Sequence, residues 1–208
     1  MKGHLSLAHS VGARSDWMTE AALPAAVNWF HAHAVHVAHE GEEPLLAAAA
    51  KHLVFVARLA RKKPEYTATL VGFKKGSKIA AVCFGRTSDG QPVLLAAAGR
   101  ELCVWPLQSV LRDSSPAHKS TRVASDVRAV TACEVHEGRL YIGTEQGQVL
   151  AVRVNNGFDV SVSAAILQST APVSVLSTCG QRLAIGMTTG VVAIANVDAF
   201  PEYTMLGT

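Results

Sequence analysis

Apolar and polar positions along this chain fall into blocks, and the blocks repeat. RLYIGTEQGQVLAVRV begins at Arg139 and RLAIGMTTGVVAIANV begins at Arg182. Leu140 and Leu183, Gly143 and Gly186, and Gly147 and Gly190 are each 43 residues apart. Each block is an apolar run, a polar turn with glycine, and a second apolar run, which reads as strand, turn, strand. Two earlier stretches share the pattern, LLAAAAKHLVFVARL from Leu45 and VLLAAAGRELCVWPL from Val93 to Leu107. Leu53 and Leu102, Phe55 and Val104, and Val56 and Trp105 are each 49 apart. The alanine run Ala47–Ala50 favours a helix by propensity. The shared pattern outweighs it and predicts two strands with a tight turn at Lys51-His52. Its second copy places Gly99 in that turn, where a positive φ is easy.

Further strand-like runs precede the blocks: Ile79 to Phe84, Val127 to Val135, and Val173 to Leu176. A strand-only repeat near this period predicts an all-β fold, a partial β-propeller of the WD-repeat type. The first block has no preceding strand of the Ile79 kind, because a His-rich segment stands there. The expectation is about three blades plus an N-terminal strand pair, an incomplete ring. The predicted divisions are a polar, flexible leader over 1–23, the strand segment of an incomplete blade over 24–60, and a first blade over 61–113. A second blade follows over 114–157, then a third with the start of the next over 158–208. Polar, turn-rich linkers are read at Arg61 to Pro64, Arg112 to Thr121, and Asn155 to Gly157. The chain is expected to be the N-terminal portion of a larger propeller protein, or to close its ring with partners. Nearly continuous apolar strands fit sheets that are covered on both faces.

Composition narrows the classes. The 208 residues are 49% hydrophobic and 17% charged, enough for a packed core. A net charge of +3 is compatible with RNA and does not by itself argue for it. Cys83, Cys103, Cys133 and Cys179 form no CxxC pair and sit in or beside apolar runs. They read as buried thiols in a reducing compartment. No apolar stretch reaches the ~18 residues of a membrane span, and residues 1–23 lack a signal-peptide core. The expected setting is cytoplasm or nucleus.

Catalytic patterns are missing from the sequence. There is no G-x-S-x-G, no phosphate loop of the GxxxxGK[ST] kind, and no strand-GxGxxG-helix unit. No enzyme activity and no cofactor are expected. His31, His33, His36 and His39 invite a metal reading, but no cysteine accompanies them, and on a strand the 33-to-36 step breaks the alternation of faces. No metal is expected. Lys74, Lys75 and Lys78, with Arg61, Lys62 and Lys63, make a basic cluster that attracts RNA without sequence preference, or serves only as a solvated loop.

The order of motifs resembles a known family. VNWF at 27–30, LLAAAAKHLVFVARL, TATLVGF at 67–73 and LLAAAGRELCVWPL are similar to the opening of the gem-associated protein five family. The blocks from Val130 and Val173 are similar to that family's next two blades, so the resemblance covers residues 24–198. It implies an RNA-binding propeller protein of the survival-of-motor-neuron complex. Such a protein recognises the Sm site and cap of small nuclear RNA for ribonucleoprotein assembly and also acts in translation control. Carried over by position, Trp29 and Phe30 match an aromatic pair on the RNA-binding face, and Lys51 matches a neighbouring basic residue. Aromatic faces of this kind stack on bases. This chain has Gly72-Phe73 where the family's repeats carry Gly-His, and Trp105-Pro106 where they carry Trp-Asp. The usual His/Asp hydrogen-bond network is therefore unavailable, and packing must hold the blades. The competing reading is a WD-repeat protein-interaction scaffold with no nucleic-acid role.

Overall fold

A computed structural model describes residues 4–8, 18–22, 35–39, 44–59, 64–113, 115–123, 130–136, 139–179, 181–197 and 203–206. Over these residues the fold is all-β, with four blade-like antiparallel sheets of four strands each and one separate strand pair. The pair is β1 (His4–Ala8) with β2 (Met18–Ala22). It lies inside the stretch read as a flexible leader.

The first sheet is β3 (Val35–His39), β4 (Pro44–Ala50), β5 (Leu53–Leu59) and β6 (Pro64–Val71). The second is β7 (Ala81–Arg86), β8 (Pro92–Ala98), β9 (Glu101–Pro106) and β10 (Lys119–Arg122). A short helix, α1 (Leu107–Arg112), sits between β9 and β10. The third sheet is β11 (Val130–His136), β12 (Arg139–Thr144), β13 (Gln148–Val154) and β14 (Val160–Gln168). The fourth is β15 (Val173–Cys179), β16 (Arg182–Met187), β17 (Val192–Asn196) and β18 (Tyr203–Leu206). Strands pair with their sequence neighbours throughout each sheet. The first strands lie side by side in succession, β3 by β7, β7 by β11, and β11 by β15.

The N-terminal unit differs from the expected strand pair. It is a complete four-stranded sheet, because part of the His-rich segment supplies its first strand: Val35 pairs with Ala48 and His39 with Pro44. Val35, Val37 and the residues between them alternate apolar and histidine, and this alternation suits a strand. The linker read over 112–121 likewise contains most of β10, whose exposed polar residues Lys119–Arg122 pair with β9. Pairing with β9 makes KSTR a strand despite its polarity. The alanine run is strand, as expected, with Ala50 paired to Leu53 across the Lys51-His52 turn.

Three apolar cores lie between successive sheets. Strand β8 shows how a continuous apolar run serves two of them. Leu94, Ala96 and Ala98 face the first core, and Val93, Leu95 and Ala97 face the second. Alternation along the strand sends neighbours to opposite faces, so both faces must be apolar. Trp105 fills the first core, with Phe73 edge-on at 6.4 Å and an interplanar angle of 65°. Phe73, which stands where the usual repeat carries His, thus meets Trp105 by apolar contact. The close fit explains Gly72: a Cβ there would collide with the Trp105 ring and lie 3.0 Å from Cys103 Sγ.

Backbone hydrogen bonds also tie the sheets together. Ile79 N–H donates to the Lys51 carbonyl at 2.8 Å, Val130 N–H to Gly99 at 2.7 Å, and Ser169 N–H to Gly147 at 3.0 Å. In each case the hairpin turn of one sheet accepts from the segment that leads into the next. Packing is therefore joined by a repeated main-chain latch.

Cysteine placement corrects one expectation. Cys83 and Cys103 are buried free thiols, whereas Cys179 is exposed. Cys179 is the last residue of β15, on the sheet that has no further sheet beyond it among the described residues.

Candidate nucleic-acid interface

The latch at Lys51 organises one edge of the first sheet. The Lys51-His52 turn joins β4 to β5. At the same end Leu53 pairs with Val71, the last residue of β6. The chain then runs through Phe73 and a turn closed by Ser77 N–H donating to the Lys74 carbonyl at 3.0 Å. It returns at Ile79, whose N–H bonds back to Lys51. Lys51, Lys74, Lys75 and Lys78 are all exposed, and this path sets them along one edge. Among the described residues none of the four takes part in an ion pair; the pair that is seen, Lys119 Nζ to Asp159 Oδ1 at 3.0 Å, lies elsewhere. Val71, 62% exposed, adds an apolar spot beside them. Four exposed lysines on one edge offer the positive potential that a phosphate backbone requires.

Lys51 also carries backbone strain. Its φ is 55°, in the left-handed region where a lysine is disfavoured. Gly99 takes φ 58° at the equivalent turn of the second sheet. Glycine is the residue that this geometry favours, and the first sheet has a lysine there instead.

The opposite edge is held differently. Ser88 N–H donates to the Val154 carbonyl at 2.8 Å, and Ser88 Oγ–H donates to Asn156 Oδ1 at 2.8 Å. Asn155 Oδ1 accepts from Gly157 and Asp159 N–H at 3.1 and 2.9 Å. These bonds close the Asn155–Asp159 turn and fasten it to the second sheet. They use polar groups on each other and gather no charge of one sign.

The sequence-derived site residues are only partly placed. Lys51 stands on the basic edge. Trp29 and Phe30 lie outside the described residues, as do His31, His33, Arg61, Lys62 and Lys63. Of the basic cluster read from the sequence, the described members Lys74, Lys75 and Lys78 stand on the edge with Lys51. The missed association depends on a main-chain bond between residues 28 positions apart, which side-chain pattern does not encode. Among the described residues, no group of three or more His, Cys, Asp and Glu could hold a metal, and no helix is long and apolar enough to cross a membrane.

Among the described residues, buried polar chemistry is sparse. Burial pushes the Cys103 thiol up to about 12; a hydrogen bond from Ser120 opposes the shift, and the charge of Glu101 adds to it. Cys103 Sγ–H donates to the Gly72 carbonyl at 3.2 Å. This thiol is a packing group and not a nucleophile. Trp105 Nε1 is buried without a partner among the described residues, and the His118 ring lies 5.5 Å from the Trp105 ring.

No family model matches the chain, and no curated protein matches it. Solved structures do resemble it. The computationally designed protein Ika8 superposes with a TM-score of 0.57 at 14% identity, over 80% of this chain and 46% of that one. A chain of the mitotic checkpoint complex gives 0.60 at 15% identity, over 80% and 48%. The computationally designed protein Ika4 gives 0.55 at 12% identity, over 82% and 95%. This chain thus spans about half the length of the first two and nearly all of the third. At these identities the likeness concerns the fold alone.

Proposed function

We propose that the chain is an RNA-binding portion of a WD-repeat propeller protein, with Lys51 at the centre of its binding edge. The observation that carries this reading is the latch from Ile79 to Lys51, which lines up four exposed lysines that have no ion-pair partner among the described residues. Phosphate contacts supply affinity and position the strand, while stacking on aromatic rings holds individual bases. Trp29 and Phe30 are assigned the stacking role from the family resemblance. On the same resemblance the RNA is a small nuclear RNA, bound through its Sm site or cap. The partners are other subunits of a ribonucleoprotein assembly complex in cytoplasm and nucleus, and a role in translation control accompanies this. The fold reading adds that the four sheets are blades of an incomplete ring. We assign no catalytic step and no cofactor.

A scaffold that binds only proteins is the second reading. It is favoured by the apolar face that the fourth sheet leaves exposed, with Val175 at 52%. Fluorescence titration with a capped, U-rich RNA separates the two. Trp29→Ala should weaken binding by about 1–3 kcal/mol, the worth of one stacked base. Affinity unchanged by Trp29→Ala, or no RNA binding at all, would sink the RNA reading.

A further inference from the structure

We infer that Glu145 is a specificity-determining residue of the RNA edge: its carboxylate ends the path of the bound strand, so that the first two sheets hold phosphates and the third does not. The inference rests on the RNA reading proposed above and adds a boundary and a footprint to it.

The latch fixes which groups share this side of the molecule. In each of the first three sheets, the turn between the second and third strands accepts a backbone hydrogen bond from the segment leading into the next sheet. Those turns therefore follow one another along one side. The first is Lys51-His52 and the second is Gly99-Arg100. The third is Glu145-Gln146, closed by Gly147 N–H donating to the Thr144 carbonyl at 3.1 Å. The corresponding turn of the fourth sheet is Thr188-Thr189, closed by Gly190 N–H donating to the Met187 carbonyl at 3.0 Å. The connecting segments follow the same trend. Lys74, Lys75 and Lys78 lie between the first and second sheets, whereas residues 169–172, between the third and fourth, carry no charge. Among the described residues these turns and segments are basic over two sheets, acidic at the third and uncharged at the fourth.

Glu145 is exposed and has no ion-pair partner among the described residues. Glu101, at the same end of the second sheet, differs. It is half-buried, accepts from Ser120 Oγ–H at 2.5 Å and is the cross-strand partner of Arg122. Its charge is matched within its own sheet, and it sets no boundary. Packed sheets lie about 10 Å apart, so about 20 Å separates the first turn from the third. A stacked strand advances about 3.4 Å per nucleotide, which gives the basic stretch room for about six phosphates. The Debye length is about 8 Å at physiological salt. Glu145 therefore repels a phosphate that lies beside it and leaves the potential at Lys51 almost unchanged. The carboxylate is a local stop, and a strand longer than the basic stretch gains no further contact beyond it.

The slope of log affinity against log salt counts the phosphates held, whatever number of registers a homopolymer offers. Oligouridines of about 4 to about 12 nucleotides, titrated by fluorescence anisotropy against the 208-residue chain, test the boundary. The slope should steepen with length up to about six nucleotides and then hold. Glu145→Lys should leave the slope of the 6-mer unchanged and steepen that of the 12-mer by about 0.7, one more phosphate on a single strand. Glu145→Gln removes the charge with little change of shape. It should tighten the 12-mer roughly two- to fivefold, the worth of one exposed charge pair, and leave the 6-mer unaffected. A slope that climbs steadily to the 12-mer in the parent, or a 12-mer that responds to neither substitution, would overturn this inference and leave RNA binding itself standing. If no oligouridine binds at any salt concentration, the basic edge fails as an RNA site and the boundary fails with it.

Discussion

Gly147 and Gly190 occupy the same place in the 43-residue repeat, and alanine at each should have different consequences. Both have positive φ, 80° and 87°. Alanine at either site is held in a conformation that costs about 1–2 kcal/mol for an L-residue. At Gly190 nothing lies within 4 Å of the added Cβ, so that strain is the whole effect. At Gly147 the Cβ would collide with the Ser169 carbonyl oxygen and lie 2.6 Å from that of Ala171. Both oxygens belong to backbone leading into the fourth sheet, and the Ser169 N–H to Gly147 carbonyl bond of 3.0 Å holds that backbone in place. Relieving the clash means moving the fourth sheet off the third, an overpacking penalty of about 1–3 kcal/mol. A chain of this length loses about 2–4 °C per kcal/mol. A 2 kcal/mol difference therefore places Gly147→Ala about 4–8 °C below Gly190→Ala in thermal unfolding. Urea titration of both variants beside the parent gives the same difference as a free energy. Equal losses at the two sites would refute the argument that the third and fourth sheets are latched through Gly147.

Other consequences follow from the same geometry. Lys51→Gly relieves the left-handed strain at φ 55° and should raise stability by up to about 1 kcal/mol in urea unfolding, while weakening RNA binding. Gly72→Ala drives a methyl into Trp105 and should cost about 1–3 kcal/mol by the same assay. Among the cysteines whose surroundings are described, Cys179 should react with an aromatic disulfide reagent within minutes at pH 8, and Cys83 and Cys103 only after denaturation. The Cys103 pKa is raised from 9.0 to about 12 in the fold, so the stability held by its neutral thiol is full below pH 9. It is lost as pH rises from 9 towards 12, and Cys103→Ala should flatten that loss in pH-dependent unfolding.

Several parts of this fold can be read from the sequence because one period serves both packing and turn geometry. Gly99, Gly147 and Gly190 all take positive φ in hairpin turns, where the repeat puts them. The alanine run Ala47–Ala49 is strand because its faces are fully buried, and burial between sheets outweighs local helix propensity. Strands without an apolar run carry no such mark in the sequence. β3 hides in a histidine-rich segment, and β10 is polar because it is exposed along the outside of its sheet. Cys179 lies in an apolar context by sequence but on an uncovered sheet in space, so its neighbours misstate its exposure. For the candidate site, Lys51 could be singled out through the family resemblance. Its association with Lys74, Lys75 and Lys78 rests on a backbone bond that no residue type announces. The other two proposed contacts, Trp29 and Phe30, lie outside the described residues.

The binding edge is tested most directly by the salt dependence of RNA affinity. The measurement compares the parent with a variant in which Lys51, Lys74, Lys75 and Lys78 are all alanine, titrated with the same capped, U-rich RNA from low to physiological salt. If each lysine neutralises one phosphate, removing all four should lower the slope of log affinity against log salt by about 3. The parent should also bind more tightly at every salt concentration in that range. An unchanged slope and affinity in the folded variant would contradict the account and leave the lysines as a solvated edge.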